Sequence, residues 1–367
     1  MFDMDPALTC VIVADDLTGA CDSAVQFAAA GLRTTVAIAP GAACDQPEVL
    51  AFSTESRALA PEKARNRIRE LAAQVREARA EIVFKKIDST LRGNTAVEVI
   101  AALDAFGCDA AVVNPAFPAM ARVAEGGMLR VASDAGFAPV EIAAWLRQHG
   151  AEGCRHVLAG EIAAAIARGA RFISLDALCA DDLSRTVAEG LALKERILWA
   201  GSAGLASALA RHSGSRTPAA PLPYIGGPLL FILGSDHPVT MEQQCRLLAG
   251  GRTKLLDARG ADARQVRAVL GRGHHLVLRL AQDAVAPERL AELLPDCRPA
   301  ATVVSGGDTL SAVCHALRVR AIDLRRELAP GIPAGILRGG VWSGSTVVTK
   351  SGGFGAPDAL LRIGEIL

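Results

Sequence analysis

The chain has 367 residues, with 39 Lys+Arg balanced by 39 Asp+Glu, and it is 51% hydrophobic but only 4% aromatic. Zero formal net charge excludes the basic footprint of a general nucleic-acid binder, and one Tyr with three Trp leaves few platforms for stacking bases. No apolar stretch approaches the ~18 residues of a membrane span.

The acidic start, residues 1–6, lacks the basic region of a secretory signal, so a soluble cytoplasmic protein is expected. The length suggests two domains, each able to bury a core without disulfides or a structural metal. Nine cysteines are scattered singly, with no C-x-x-C pair, which predicts reduced, packed thiols. The pair His274-His275 heads a strand-like run and reads as a sheet edge rather than a metal site.

In chain order, short apolar or β-branched runs at 9–14, 34–39, 49–53, 81–86, 110–114, 171–175 and 196–200 predict the strands of the first half. Runs at 229–233, 253–257, 275–280, 301–305 and 345–349 predict those of the second. Helix-period segments lie between them at 61–79, 94–106, 181–193, 238–249, 261–271 and 309–319. This alternation predicts an α/β protein whose mainly parallel sheets are flanked by helices. The stretch 213–224 carries three prolines and no period, and it reads as a linker between domains 1–215 and 225–367. Two such domains place a ligand, by precedent, in the cleft between them.

Chemistry-bearing residues gather where strands end and helices begin, which is where parallel sheets bind ligands. Asp15-Asp16 follows the first strand; one carboxylate would suffice for a helix N-cap, so a pair points to a site. The turns 53–57, with Arg57, and 84–94, with Lys85, Lys86, Ile87, Asp88 and Arg92, add planar and compact cations. Together these turns describe a pocket for a small, anionic, polyhydroxy ligand. Asn114, in the loop 114–118, could either reach that ligand or serve a rigid turn.

Glycine–serine turns at 200–204, 234–236, 305–309 and 350–355 suit phosphate, because small residues let its oxygens approach backbone N–H groups. The P-loop pattern and the dinucleotide G-x-G-x-x-G are both absent.

The order and content of these motifs resemble the four-carbon acid sugar kinase family. The resemblance is carried by 14–20 (ADDLTGA), 85–94 (KKIDSTLRGN), 114–118 (NPAFP), 201–206 (GSAGLA), 305–309 (SGGDT) and 350–355 (KSGGFG). It implies an N-terminal sugar-acid-binding domain, a C-terminal ATP-binding domain, and phosphorylation of the 4-hydroxyl of a tetronate. Threonate or erythronate is the substrate implied by the KKIDSTLRGN form. By position, Asp15, Arg57, Lys85, Lys86, Ile87 and Asp88 would contact the sugar acid, and Ser235, Gly306, Gly307, Asp308, Thr309 and Gly352 would contact ATP.

On this basis Arg57 and a Lys of the 85–86 pair clamp the substrate carboxylate. Asp15, Asp16 or Asp88 accepts the hydroxyl proton, and Mg²⁺ accompanies ATP. The alternatives are a 3-oxo-tetronate kinase with altered substrate range, a sugar-acid and nucleotide sensor without transfer, and a hydroxy-acid dehydrogenase. A homodimer is the expected assembly on general grounds. The chain departs from the family at Ala121-Arg122, where Gly-Arg is usual, and in a short segment 123–140, which bears on substrate choice.

Overall fold

The computed structural model describes residues 8–39, 46–75, 79–132, 136–214, 221–223, 226–280 and 287–367. The chain forms two compact units, one of Met1–Thr34 with Asp45–Pro218 and the other of Thr35–Cys44 with Ala219–Leu367. Seven of the twelve residues of the stretch 213–224, read as a linker, lie outside the described residues, as does Cys44.

In the first unit seven parallel strands lie in the order Val49–Ser53, Cys10–Ala14, Ile82–Lys86, Ile197–Gly201, Ala110–Asn114, Phe172–Leu175 and Arg155–Val157. Cys10–Ala14, Ile82–Lys86, Ala110–Asn114 and Ile197–Gly201 are buried along their whole length. Helices cover both faces, so these runs are continuously apolar rather than alternating. The polar exceptions Lys85, Lys86 and Asn114 sit at the carboxyl ends. The chain passes from Cys10–Ala14 to Val49–Ser53 on one side, then to Ile82–Lys86 on the other. That reversal opens a crevice at three neighbouring strand ends.

A three-stranded antiparallel sheet of Arg122–Glu125, Met128–Val131 and Val140–Glu141 fills the segment that departs from the family pattern.

The second unit has five parallel strands in the order Thr253–Asp257, His275–Arg279, Leu229–Leu233, Ala301–Ser305 and Thr346–Lys350. Antiparallel Ile332–Arg338 and Ala321–Ala329 extend that order. Phe231, Val277, Val303 and Val348 form its core with Leu360 from the helix Ala359–Ile366. Residues 35–39, near the start of the chain, belong to this unit. Thr35 Oγ1 donates to Asp323 Oδ1 at 2.9 Å, and the Ile38 N–H donates to the Arg320 carbonyl at 2.9 Å.

Several expectations are corrected. His275–Arg279 is paired on both sides, so the His274-His275 pair does not mark a sheet edge; His275 Nδ1 instead accepts the Leu229 N–H at 2.9 Å. Of the described cysteines, Cys179 and Cys245 are exposed rather than packed, while the others are buried. The strands Arg155–Val157, Ala321–Ala329 and Ile332–Arg338, and the small sheet, have no counterpart in the hydropathy pattern. Pro333 and Gly335 disguise one of them, and the charges at 325–327 disguise another. Among the described residues no helix is long and apolar enough to cross a membrane.

The helix Ala180–Leu191 seats Gly190 directly on the Trp199 ring, where a Cβ would lie 2.5 Å from Cη2. Trp199 is fully buried and has nowhere to retreat. Gly190→Ala is therefore expected to destabilise the protein by about 1–2 kcal/mol despite its better helix propensity, read as a lowered denaturation midpoint.

Candidate active site

Two clusters occupy strand ends, one in each unit. In the first, the turn after Cys10–Ala14 carries Asp15 and Asp16. Asp16 is the N-cap of the helix Leu17–Ala29, and its side chain accepts the Gly19 N–H. It also pairs through Oδ2 with Arg57 Nη1. The Arg57 fork holds Asp15 as well, with Nε to Oδ2 at 2.7 Å and Nη2 to Oδ1 at 2.9 Å. The turn thus carries a helix cap and, beyond it, one guanidinium that spans two adjacent carboxylates.

Burial pushes the Asp15 carboxyl up, but Lys85 and Arg57 outweigh it and hold Asp15 below its usual value. Asp16 moves the opposite way: burial, reinforced by the neighbouring Asp15 charge, wins over Arg57 and Lys86 and raises it. Two adjacent carboxylates are thereby set apart in basicity. For Arg57, the two carboxylates overcome burial and keep the guanidinium charged.

The two lysines divide their work. Lys85 and Glu98 are both 1% exposed and form an ion pair at 2.8 Å. Lys85 Nζ also donates to the Lys86 carbonyl at 2.7 Å. Glu98, in the helix Thr95–Ala105, takes a 2.6 Å hydrogen bond from Ser56 Oγ, which contacts Thr54 Oγ1 at 2.6 Å. Lys85 thus secures the loop that presents Arg57. Lys86 Nζ bonds the Ile87 carbonyl at 3.0 Å and sits beside Gly19, where a Cβ would lie 3.6 Å away. It is therefore the lysine at the mouth of the Asp16-capped helix.

Ile87 uses its own N–H on the Gly201 carbonyl, 2.9 Å away. Asp88 accepts from the Thr90 N–H at 2.8 Å and from Arg92 Nε at 3.1 Å, and its Oδ2 pairs with Arg92 Nη2 at 2.7 Å. Against the upward push of burial, these bonds hold Asp88 well below the usual carboxylate range. Asp88 shapes its turn and steadies Arg92, whose side chain is 67% exposed at the rim.

Asn114 is fully buried, donating to the Leu175 carbonyl and accepting the Ala116 N–H, both at 3.0 Å, so the rigid-turn alternative holds. The turn 200–204 belongs to the first unit, where Ser202 Oγ donates to the Ala116 carbonyl at 2.6 Å and caps the helix Ala203–Ser213. Arg122, from the small sheet, donates to Ser89 Oγ in the turn 84–94. Ala121 has φ 54°, a left-handed conformation that accounts for glycine being usual at this place.

In the second unit Leu233, Ser305 and Lys350 are register partners across adjacent strands, so the turns that follow them converge. The contacts are close enough to require glycine. A Cβ on Gly352 would lie 2.0 Å from Ser235 Oγ, and one on Gly234 would lie 2.1 Å from Thr309 Oγ1. Ser235, Gly306, Thr309 and Gly352 thus share one place, with Gly307 and Asp308 opening the helix Gly307–Ala316 beside it.

The motifs did not single out three further participants. Glu98 is a carboxylate inside a helix with no local mark. Thr240 donates to the Gly352 carbonyl at 2.7 Å from the helix Pro238–Ala249. Arg279 donates to the Leu233 and Ser235 carbonyls at 2.8 and 3.1 Å.

Lys85→Met leaves Glu98 buried and unpaired, and it is expected to cost about 3–5 kcal/mol of stability. Lys86→Met should leave the denaturation midpoint within about 1 kcal/mol of wild type and instead abolish binding of a small anionic ligand, measured by calorimetry.

The sequence matches the family described as a sugar-binding N-terminal domain over residues 10–143, and that described as a nucleotide-binding C-terminal domain over 284–360. It is 36% identical to a D-threonate kinase of Bordetella bronchiseptica, covering 97% of this chain and 96% of that one. It is 30% identical to a D-erythronate kinase of Heliobacterium modesticaldum, covering 95% and 94%. The crystal structure of Haemophilus influenzae protein HI1011 superposes with a TM-score of 0.72 at 20% identity, covering 97% of this chain and all of that one, and so shares the fold. Motifs, strand-end geometry and full-length similarity agree, and the chain belongs to the four-carbon acid sugar kinase family.

Proposed function

We propose that the protein transfers the γ-phosphoryl group of ATP to the 4-hydroxyl of a four-carbon sugar acid, D-threonate or D-erythronate. The observation that carries this reading is the Arg57–Asp15–Asp16 constellation with Lys86 beside it. It offers both charges that a hydroxy acid needs. Arg57 spends three of its five N–H donors on the two carboxylates, leaving two for the substrate carboxylate, with Lys86 as the second cation. Asp15, held ionised, keeps Arg57 in place and accepts from a substrate hydroxyl. Asp16, the more basic of the pair, accepts the 4-hydroxyl proton as the phosphoryl group departs from ADP.

The second unit supplies the phosphate side, with Ser235, Gly306–Thr309 and Gly352 offering small side chains and backbone N–H groups. Mg²⁺ binds through one or two carboxylates plus substrate phosphates. Asp308, exposed on the first helical turn beside the glycine turns, fits such a role. The ion would neutralise phosphate charge.

The test is ADP release with ATP, Mg²⁺ and a panel of threonate, erythronate and 3-oxo-tetronate. Turnover of threonate or erythronate is expected; binding of both ligands without ADP would indicate a sensor instead. Asp16→Asn retains a good N-cap and should lower kcat at least about 100-fold with little change in melting temperature. Because the base must be ionised and Asp16 is raised, wild-type kcat/KM should fall with acid at a pH above the ordinary Asp value of about 3.9. Asp15→Asn should weaken sugar-acid binding by freeing Arg57 from its fixed orientation.

A further inference from the structure

Lys350 ends the inner strand Thr346–Lys350 of the second unit and is 1% exposed. Its ammonium contacts three neutral oxygens: Thr240 Oγ1 and Ser305 Oγ at 3.1 Å each, and the Gly352 carbonyl at 3.2 Å. These account for all three donors of an ammonium, so Lys350 cannot itself reach a ligand. Each partner belongs to a different wall of the glycine-turn cluster: the helix Pro238–Ala249, the strand Ala301–Ser305, and the turn 351–355.

We propose that Lys350 is a positioning residue for the nucleotide phosphates, tying these three walls together and supplying the buried positive charge that an incoming polyphosphate balances. The inference rests on the reading that this unit binds ATP.

Among the described residues no carboxylate pairs with this ammonium. The strand Ala301–Ser305 and the turn 351–355 contain no titratable side chain, and Ile332–Arg338 contributes only Arg338, paired with Asp323. On the helix side Glu242 and Arg246 pair with each other at the surface, and Cys245 is exposed. In the preceding turn Asp236 pairs with Arg279, and His237 Nδ1 accepts the Val239 N–H. Asp308 is exposed on its helix.

Burial therefore acts on Lys350 without opposition and brings its pKa down to about 7. Above that pH the free protein holds a neutral amine. A bound polyphosphate favours the ammonium, so ATP binding draws one proton from solvent onto Nζ. A permanently charged residue could not do this.

The experiment is calorimetric titration of ATP with Mg²⁺ at pH 8 in buffers of different ionisation enthalpy, where ATP itself is fully ionised. Wild type should take up close to one proton per nucleotide, falling away at pH 6, where Lys350 is already charged. Lys350→Met should remove the uptake and weaken ATP about tenfold, while leaving sugar-acid binding unchanged. Equal proton uptake in wild type and Lys350→Met would overturn the proposal and leave the kinase reading intact. Should Lys350→Met fail to fold, the wild-type comparison of pH 8 with pH 6 decides: pH-independent uptake overturns it. No ATP binding by wild type would instead overturn the kinase reading itself.

Discussion

Arg57 joins the loop after Val49–Ser53 to the turn after Cys10–Ala14, gripping Asp15 with two nitrogens and Asp16 with a third. The remaining features of the first unit's site follow from that contact. Two carboxylates side by side at a buried strand end repel each other, and one guanidinium makes the arrangement tenable. The same grip divides them, because Asp15 has Lys85 and Arg57 to keep it ionised while Asp16 carries the burial and the repulsion. The difference in acidity between them arises from position, since the residue types are identical.

The scaffold behind Arg57 is a buried polar chain running from Lys85 through Glu98 and Ser56 to Thr54. Such a chain is favourable only when every member is satisfied. Its role explains why the two lysines of one dipeptide differ. Successive residues of a strand point to opposite faces, so Lys85 turns toward the helix Thr95–Ala105 while Lys86 turns toward the helix Leu17–Ala29. The second unit solves its problem with neutral groups. Backbone and hydroxyls form the walls of the glycine-turn cluster, and the one buried cation, Lys350, stands behind them among the described residues of that cluster.

Much of this was legible in the residues. Continuous apolar runs such as 10–14 and 229–233 marked strands buried on both faces, and the polar residues following them marked the ends where ligands bind. Asp15-Asp16, Arg57, Ser235 and Gly352 all follow such strand ends. Illegible were features whose meaning depends on a distant partner. Glu98 looks like any helical carboxylate until Lys85 is placed against it. The turn 200–204 resembles a phosphate loop until Ser202 is seen bonding Ala116. The strand Ile332–Arg338 is masked by Pro333 and Gly335; Pro333 is tolerated beside an irregularity in the pairing with Ala321–Ala329. The placing of residues 35–39 with the second unit also leaves no local trace, because it rests on pairing with residues about 285 positions later.

The sequence by itself determined the class of the protein: parallel α/β units, an acidic-and-basic pocket, and glycine turns suited to phosphate. These properties reside in local patterns of hydropathy, turn chemistry and residue type. Only the tertiary structure decided which Asp is the more acidic, which Lys is structural, and that Asp88 shapes a turn. Charge, burial and hydrogen bonding are set by neighbours in space. The balanced composition of 39 cations and 39 anions conceals that Lys85 and Arg57 are paired with carboxylates while Lys350 is surrounded by neutral oxygens.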